Sequence, residues 1–410
     1  MNDFPSDFLW GAATSAYQVE GNNTNADWWH WELKNPRITA SGNACLHYQK
    51  YKEDFDIAKQ LNHNCHRFSI EWSRVNPQPE KFSDQQIQHY YDCVSYLRTL
   101  NIEPIITLHH FTNPLWFSQQ GGWNCSDSVR YYLLYVEKIL QALAEKVRYW
   151  VTINEPMVYV YYAFIAGRWP PQQRSVIKAN KVLSNLIKAH IKAYEFIHNY
   201  YRQKKLPSPL VSIAHNMVAF VPCNNNLRNK FMSAFRHYMF NLKILNELVG
   251  RKKLDFLGLN YYTRHLIDVQ SWSIKEWLNN QCAQGHNTLE KNSMGWEIYP
   301  QGLLNILLSL KRYNLPIIIL ENGICTLDDR QRWRYIYNHL KQVSEAIKRA
   351  VPVKGYLYWS LIDNFEWDYG FEPRFGLCAV DYSSYQRTIR ESAYAYARIC
   401  KTGLLIDEAG

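Results

Sequence analysis

Eight short apolar runs recur along the chain, at 8–13, 65–70, 105–108, 150–153, 210–214, 256–259, 317–320 and 355–360. Each is four to six residues long and rich in Ile, Val, Phe or Tyr, the pattern of parallel strands buried on both faces. Between the runs the period lengthens. Ile87, Tyr90, Tyr91, Val94 and Leu97 follow helical spacing, and Trp333, Ile336, Tyr337, Leu340 and Ile347 share one helical face in the same way. Eight strands alternating with helices predict an α/β fold, a single (β/α)8 TIM barrel spanning residues 1–410. Two doubly wound domains are the rival layout, weakened because no Gly-x-Gly-x-x-Gly turn follows any of the runs.

The polar residues are placed as tellingly as the apolar ones. His109-His110, Asn154-Glu155, His215-Asn216, Asn260-Tyr261-Tyr262 and Glu321-Asn322 each come directly after a run, and Trp359 lies at the end of the last. In a parallel barrel the C-terminal strand ends open on one face, where active sites are built. Side chains far apart in sequence therefore converge there.

Composition narrows the classes that remain. Apolar residues make up 47% and charged residues 20%, so the chain buries a large core and is not disordered. Aromatic residues reach 15%, an excess suited to stacking on flat ligand faces as well as to core. The net charge is +10. Its basic clusters, Lys204-Lys205 and Arg251-Lys252-Lys253, are short and scattered, which reads as a solvated face with no nucleic-acid partner. Nine cysteines (45, 65, 93, 125, 223, 282, 325, 378 and 400) form no Cys-x-x-Cys pair. They read as free thiols in a reducing compartment, with no metal site. The opening Met1-Asn2-Asp3-Phe4-Pro5 lacks a secretory signal pattern, and the longest uncharged apolar stretch, 156–167, is too short to span a bilayer. The expectation is a cytoplasmic, soluble protein with no membrane partner.

Two carboxylates follow apolar runs directly: Glu155 in Trp150-Val151-Thr152-Ile153-Asn154-Glu155-Pro156, and Glu321 in Ile317-Ile318-Ile319-Leu320-Glu321-Asn322-Gly323. Either alone is better explained by helix capping or an arginine pair. As a pair at one barrel mouth, they match the two carboxyls that flank a glycosidic bond. Strict strand alternation cannot aim both Asn154 and Glu155 inward, so the chain must leave strand geometry at that point.

Five motifs in order extend this reading: Phe8-Leu9-Trp10-Gly11-Ala12-Ala13-Thr14-Ser15-Ala16-Tyr17-Gln18-Val19-Glu20-Gly21, Arg67-Phe68-Ser69-Ile70, Asn154-Glu155-Pro156, Glu321-Asn322-Gly323 and Trp359-Ser360-Leu361-Ile362-Asp363-Asn364-Phe365-Glu366-Trp367. With them the chain resembles the family 1 glycoside hydrolases, the β-glucosidase-like enzymes, over roughly 4–397. The resemblance implies a retaining exo-β-glycosidase that hydrolyses terminal β-D-glucosides, and β-galactosides or β-fucosides too, without metal or organic cofactor. It assigns Glu321 as nucleophile and Glu155 as general acid/base. Arg67 and Tyr262 would orient the nucleophile, and Asn154 would hydrogen-bond the sugar 2-hydroxyl. Gln18, His110, Trp359, Glu366 and Trp367 would hold the other hydroxyls and the sugar face. His109 is expected to be a core histidine, and Cys325 inert packing.

Glu366 also bears on the substrate. A carboxylate at the 4- and 6-hydroxyls would repel a 6-phosphate, and relatives acting on 6-phosphosugars carry a Ser/Lys/Tyr set that is absent here. Phe111 and Met157 stand where many relatives have Trp, and the connection holding Asn224-Asn225-Asn226 is shortened, which leaves the leaving group open. The partner is thus a small-molecule or oligosaccharide β-glycoside, the oligomeric state being unspecified. A catalytically dead sugar-binding relative would have lost one or both carboxylates, and both are present. A transglycosylase stays open.

Overall fold

All eight runs pair into one closed parallel barrel: β1 (Leu9–Ala13), β2 (Cys65–Ser69), β3 (Glu103–Thr107), β4 (Tyr149–Asn154), β5 (Leu210–Asn216), β6 (Leu257–Asn260), β7 (Ile317–Asn322) and β8 (Val353–Trp359). Each strand lies beside its neighbour in sequence, and β8 closes the ring by pairing with β1 through Leu9↔Gly355 to Ala13↔Trp359. The computed structural model describes residues 3–269 and 289–405.

The two-residue alternation of the strands builds two apolar layers. Cys65, Ile105, Val151, Ala214, Ile318, Leu320 and Leu357 fill the barrel interior together with Phe256. Their outward neighbours Ile106, Trp150, Ile213, Ile317, Ile319 and Tyr356 join the larger shell between barrel and helices. Fully burying one such side chain stabilises the fold by about 1.5–3 kcal/mol relative to leaving it exposed. Both faces of every strand being covered explains why the runs read as continuous apolar segments.

The helix Asp84–Thr99 starts at Ser83, whose side chain accepts a hydrogen bond from the Gln86 amide, and it buries Tyr90, Val94 and Leu97 on the predicted face. The helix Asp329–Lys348 differs. Its deepest side includes Arg332, Tyr335, His339 and Val343 alongside Ile336 and Leu340, while Trp333, Tyr337 and Ile347 are only half-buried. Arg332 turns inward because its guanidinium finds partners there: Asp329 at 2.7 Å and the backbone carbonyls of Thr326 and Arg374 at 2.5 and 3.1 Å. A charge so provided for tolerates burial, which periodicity alone does not anticipate.

Two short β-ladders lie outside the barrel. The strands Ala219–Pro222 and Arg264–Ile267 run parallel at its mouth, next to the helix Leu227–Arg236. Among the described residues no helix is long and apolar enough to cross a membrane. Seven cysteines are free thiols. Cys223, however, is disulfide-bonded, which corrects the all-thiol expectation at that position; Cys282 lies outside the described residues.

Candidate active site

The ends of β4 and β7 both break strand geometry, and both breaks deliver a carboxylate to the barrel mouth. Pairing between β4 and β5 steps from Val151↔Ser212 to Asn154↔Ala214, one extra residue on β4. That irregularity turns Ile153 into the outer shell and leaves Asn154 facing Arg67. Glu155 then takes a left-handed backbone (φ 43°, ψ 60°) at the N-terminal boundary of the helix Pro156–Val160, its side chain making no capping bond, with Pro156 at the first helical position. For a residue bearing a Cβ this conformation costs about 1–3 kcal/mol and persists only where its surroundings hold it. Successive residues Asn154 and Glu155 thus both reach the interior, as the sequence pattern requires. On β7 the ladder to β6 steps from Leu259↔Ile319 to Asn260↔Glu321, so Leu320 is the additional residue. Leu320 points into the barrel and Glu321 does so as well.

Glu321 is held by two donors, one per oxygen. Arg67 Nη1 lies 2.5 Å from Oε1, and the Tyr262 hydroxyl donates to Oε2 at 2.6 Å. Arg67 is buried and spent entirely on this layer: its Nη2 donates to Asn154 Oδ1 at 2.7 Å and its Nε to Thr107 Oγ1 at 2.9 Å. Charge-assisted bonds of this kind fix a carboxylate in charge and orientation.

Among the described residues no cation forms an ion pair with Glu155, although the charge of Arg67 reaches it. Its Oε1 accepts from the amides of Asn216 at 2.9 Å and Asn260 at 2.8 Å. Burial, and after it the charge of Glu321, raises the Glu155 carboxyl to about 8, against which the two amides pull weakly. Asn260 also donates to Asn154 Oδ1 at 3.3 Å, so one chain of hydrogen bonds joins the two acids: Glu321, Arg67, Asn154, Asn260, Glu155.

Both acids line one cavity of about 810 Å³ at the strand ends. Gln18, His110, Asn154, Tyr262, Trp359, Glu366 and Trp367 line it too, so the structure brings the nine lining candidates together, with Arg67 directly beneath. Gln18 Nε2 donates to Asn364 Oδ1, the Phe365 carbonyl and Glu366 Oε2, at 3.0, 2.9 and 3.1 Å. The Glu366 carboxyl is raised to about 8 by burial and then by the charge of Glu321. His110 Nε2 meets Asn154 Nδ2 at 3.2 Å, while its buried Nδ1 has no protein partner. Burial and the nearby Arg67 keep this imidazole neutral, well below its usual range. Its ring runs nearly parallel to those of Trp359 and Trp367, 5.9 and 6.1 Å away.

His109 stays outside the cavity, bonded to Asn113 Oδ1 at 3.0 Å beneath Trp123. Cys325 is buried and raised to about 11 by that burial, a neutral thiol packed among Ala13, Trp359 and Phe375. Asn216 and Asn260 received no role from the sequence. Their only signal was position, each ending a strand, and their service to Glu155 needs the coordinates. Among the described residues no cluster of His, Cys, Asp and Glu is arranged to hold a metal ion.

Comparison with known proteins agrees with the geometry. The family profile described as glycosyl hydrolase family 1 matches residues 1–251 and 241–404. Beta-glucosidase A of Thermotoga maritima is 30% identical, over 99% of this chain and all of that protein. A 6-phospho-beta-galactosidase of Clostridium acetobutylicum is 29% identical over 99% of each chain. Among solved structures, a beta-glycosidase from Pyrococcus horikoshii superposes with a TM-score of 0.91 at 38% identity, covering 100% of this chain and 97% of its own. A closed eight-stranded barrel, five ordered motifs and two acids in one cavity therefore have one common explanation: the chain belongs to glycosyl hydrolase family 1 and is a glycoside hydrolase.

Proposed function

We propose that residues 1–410 act as one catalytic unit, a retaining exo-β-glycosidase that releases terminal non-reducing β-D-glucose and accepts β-galactosides and β-fucosides. The observation that carries this reading is the unequal setting of two acids in one cavity. Glu155, at about 8, holds its proton at neutral pH, as a general acid must to protonate the departing glycosidic oxygen. Glu321, facing a guanidinium and a phenol that both donate to it, presents an acceptor-only carboxylate suited to attack at the anomeric carbon.

In the first half-reaction Glu321 forms an ester to the sugar and the aglycone leaves with the Glu155 proton. Esterification removes the charge that helps raise Glu155, so its carboxylate then takes a proton from water as water displaces Glu321. Asn154 is tied to Arg67 and offers its amide to the 2-hydroxyl, a contact that strengthens in the oxocarbenium-like transition state. The free Nδ1 of His110 suits another hydroxyl, and Trp359 and Trp367 give the ring apolar walls. Glu366, bonded to Gln18 and at about 8 holding its proton at neutral pH, suits the 4- and 6-hydroxyls; the Glu321 charge that helps raise it also disfavours a 6-phosphate buried in its place, which separates this chain from its phosphogalactosidase relative. The seven free thiols favour a cytoplasmic setting, with Cys223 the exception.

Azide separates the roles. Glu155→Ala should regain turnover of an activated aryl β-glucoside when azide is added and yield β-glucosyl azide. An α-azide product, or no azide adduct, would refute the assignment.

A further inference from the structure

The turn that carries Glu366 and Trp367 into the cavity is held from outside itself. Within the turn, the Glu366 amide donates to the Gly370 carbonyl at 2.7 Å and the Tyr369 amide to the Glu366 carbonyl at 3.0 Å. Trp367 between them has a left-handed backbone, φ 53°. A bulky residue keeps that conformation only where its surroundings impose it. Tyr17, Trp28, Phe111 and Trp169 box its indole, at ring separations between 4.8 and 6.0 Å.

Asp368, the next residue, spends both carboxylate oxygens on the connection after β4. Arg168 donates to Oδ2 through Nε at 3.0 Å and Nη2 at 2.6 Å, and the Trp169 indole N–H donates to Oδ1 at 2.9 Å. The guanidinium sits 5.2 Å from the ring centres of both Tyr162 and Tyr369, and Tyr162 stacks on Trp169 at 4.6 Å. An exposed ion pair contributes little by itself. This one differs, because Asp368 is 12% exposed, its second oxygen is taken by a buried indole, and the turn it fixes carries the strained Trp367. Arg168 is 41% exposed and stays outside the cavity wall, so it reaches a bound sugar only through Asp368. Resting on the glycosidase reading above, we propose that Asp368 is a positioning residue: gripped by Arg168 and Trp169, it sets the turn that offers Glu366 and Trp367 to the sugar. Preference for a sugar bearing a 6-hydroxyl then depends on the connection after β4, 200 positions away in sequence.

The test is the ratio of kcat/KM for 4-nitrophenyl β-D-glucoside to that for its 6-deoxy analogue. Asp368→Ala should lower this ratio by about tenfold and Arg168→Met by about fivefold, since displacing a binding group by a fraction of an ångström is enough for such losses. The double variant should lose no more than Asp368→Ala alone, as expected of two groups acting through one contact. Arg168→Lys, which keeps the charge without the fork, should resemble Arg168→Met. A merely structural role lowers both substrates alike, so an unchanged ratio overturns the proposal. A wild type blind to the 6-hydroxyl, losses that multiply in the double variant, or an effect of Asp368→Ala without one of Arg168→Met overturns it too, the last by making Asp368 a direct contact. Calorimetric binding of D-glucose and 6-deoxy-D-glucose gives the same comparison without turnover. If the variants narrow that binding preference while no glycoside is hydrolysed, the positioning role stands and the hydrolase reading falls. If glucosides are hydrolysed and the preference is untouched in every variant, the hydrolase reading stands and the positioning role falls.

Discussion

The mouths of β4 and β7 carry the same side chain in opposite settings. At β7, Glu321 meets a buried guanidinium and a phenol; at β4, Glu155 meets two neutral amides and a left-handed backbone. The first setting supplies positive charge, and the second supplies dipoles and desolvation. Carboxyl chemistry alone therefore says nothing about which acid gives up its proton. The neighbours decide, and each neighbour comes from a different strand or strand end: Arg67 from β2, Asn216 from β5, Asn260 from β6 and Tyr262 just beyond it.

The contrast can be broken at three points. Glu321→Ala removes the attacking group and should lower turnover of aryl β-glucosides by on the order of 10⁴–10⁶-fold, with no recovery of β-product on adding azide. Retention of more than a hundredth of wild-type kcat would dismiss Glu321 as nucleophile.

Glu155→Gln should cost about 10²–10⁴-fold on poor leaving groups and less on activated ones. It should also change the pH profile. Glu155 must be protonated, so wild-type kcat/KM falls as pH rises through about 8, and the variant should lack this limb. Stability follows the same proton. The native carboxyl titrates near 8 and the unfolded one near 4.5, so between these values the native state binds the extra proton. Through Glu155 alone stability then declines with rising pH across that window by about 1.4 kcal/mol per unit at most, and Glu366, raised alike, adds a decline of the same sign. Urea unfolding at pH 5 and pH 8 should show a smaller decline in the variant; equal declines would mean that Glu155 is not among the raised groups.

Tyr262→Phe is the mildest of the three. It removes one donor from Glu321 but leaves Arg67, so a loss of about 10–10³-fold in kcat is expected, with Tm little changed. An unaltered rate would show that the guanidinium suffices by itself.

Much of this was readable before any coordinates. Apolar runs located all eight strands, because strands covered on both faces admit few polar residues. Their edges were blurred where polar residues take part. β3 begins at Glu103, which belongs to the ladder while its carboxylate pairs with Arg98 at 2.5 Å. Motif order pointed to both acids and to seven further residues that line the same cavity. It missed Asn216 and Asn260, since an amide at a strand end has no signature of its own, and it missed the burial of Arg332, whose partners are Asp329 on its own helix and the carbonyls of Thr326 and Arg374 in two loops. Part of the cavity wall was equally hidden: Met157, Met232, Met239 and Met294 all line it, yet they are scattered over 138 positions inclusive and no local spacing joins them.

One contact described above reaches beyond catalysis. Gln18 bridges the first and last strand–loop units, donating to Asn364, Phe365 and Glu366 across the seam where β8 meets β1. While a growing polypeptide still lacks its final strand, the seam is open and these hydrogen bonds do not exist. Closure of the cavity thus waits for the end of the chain: a ribosome-bound intermediate ending before Glu366 carries Glu155 and Glu321 without the last wall of the cavity they line.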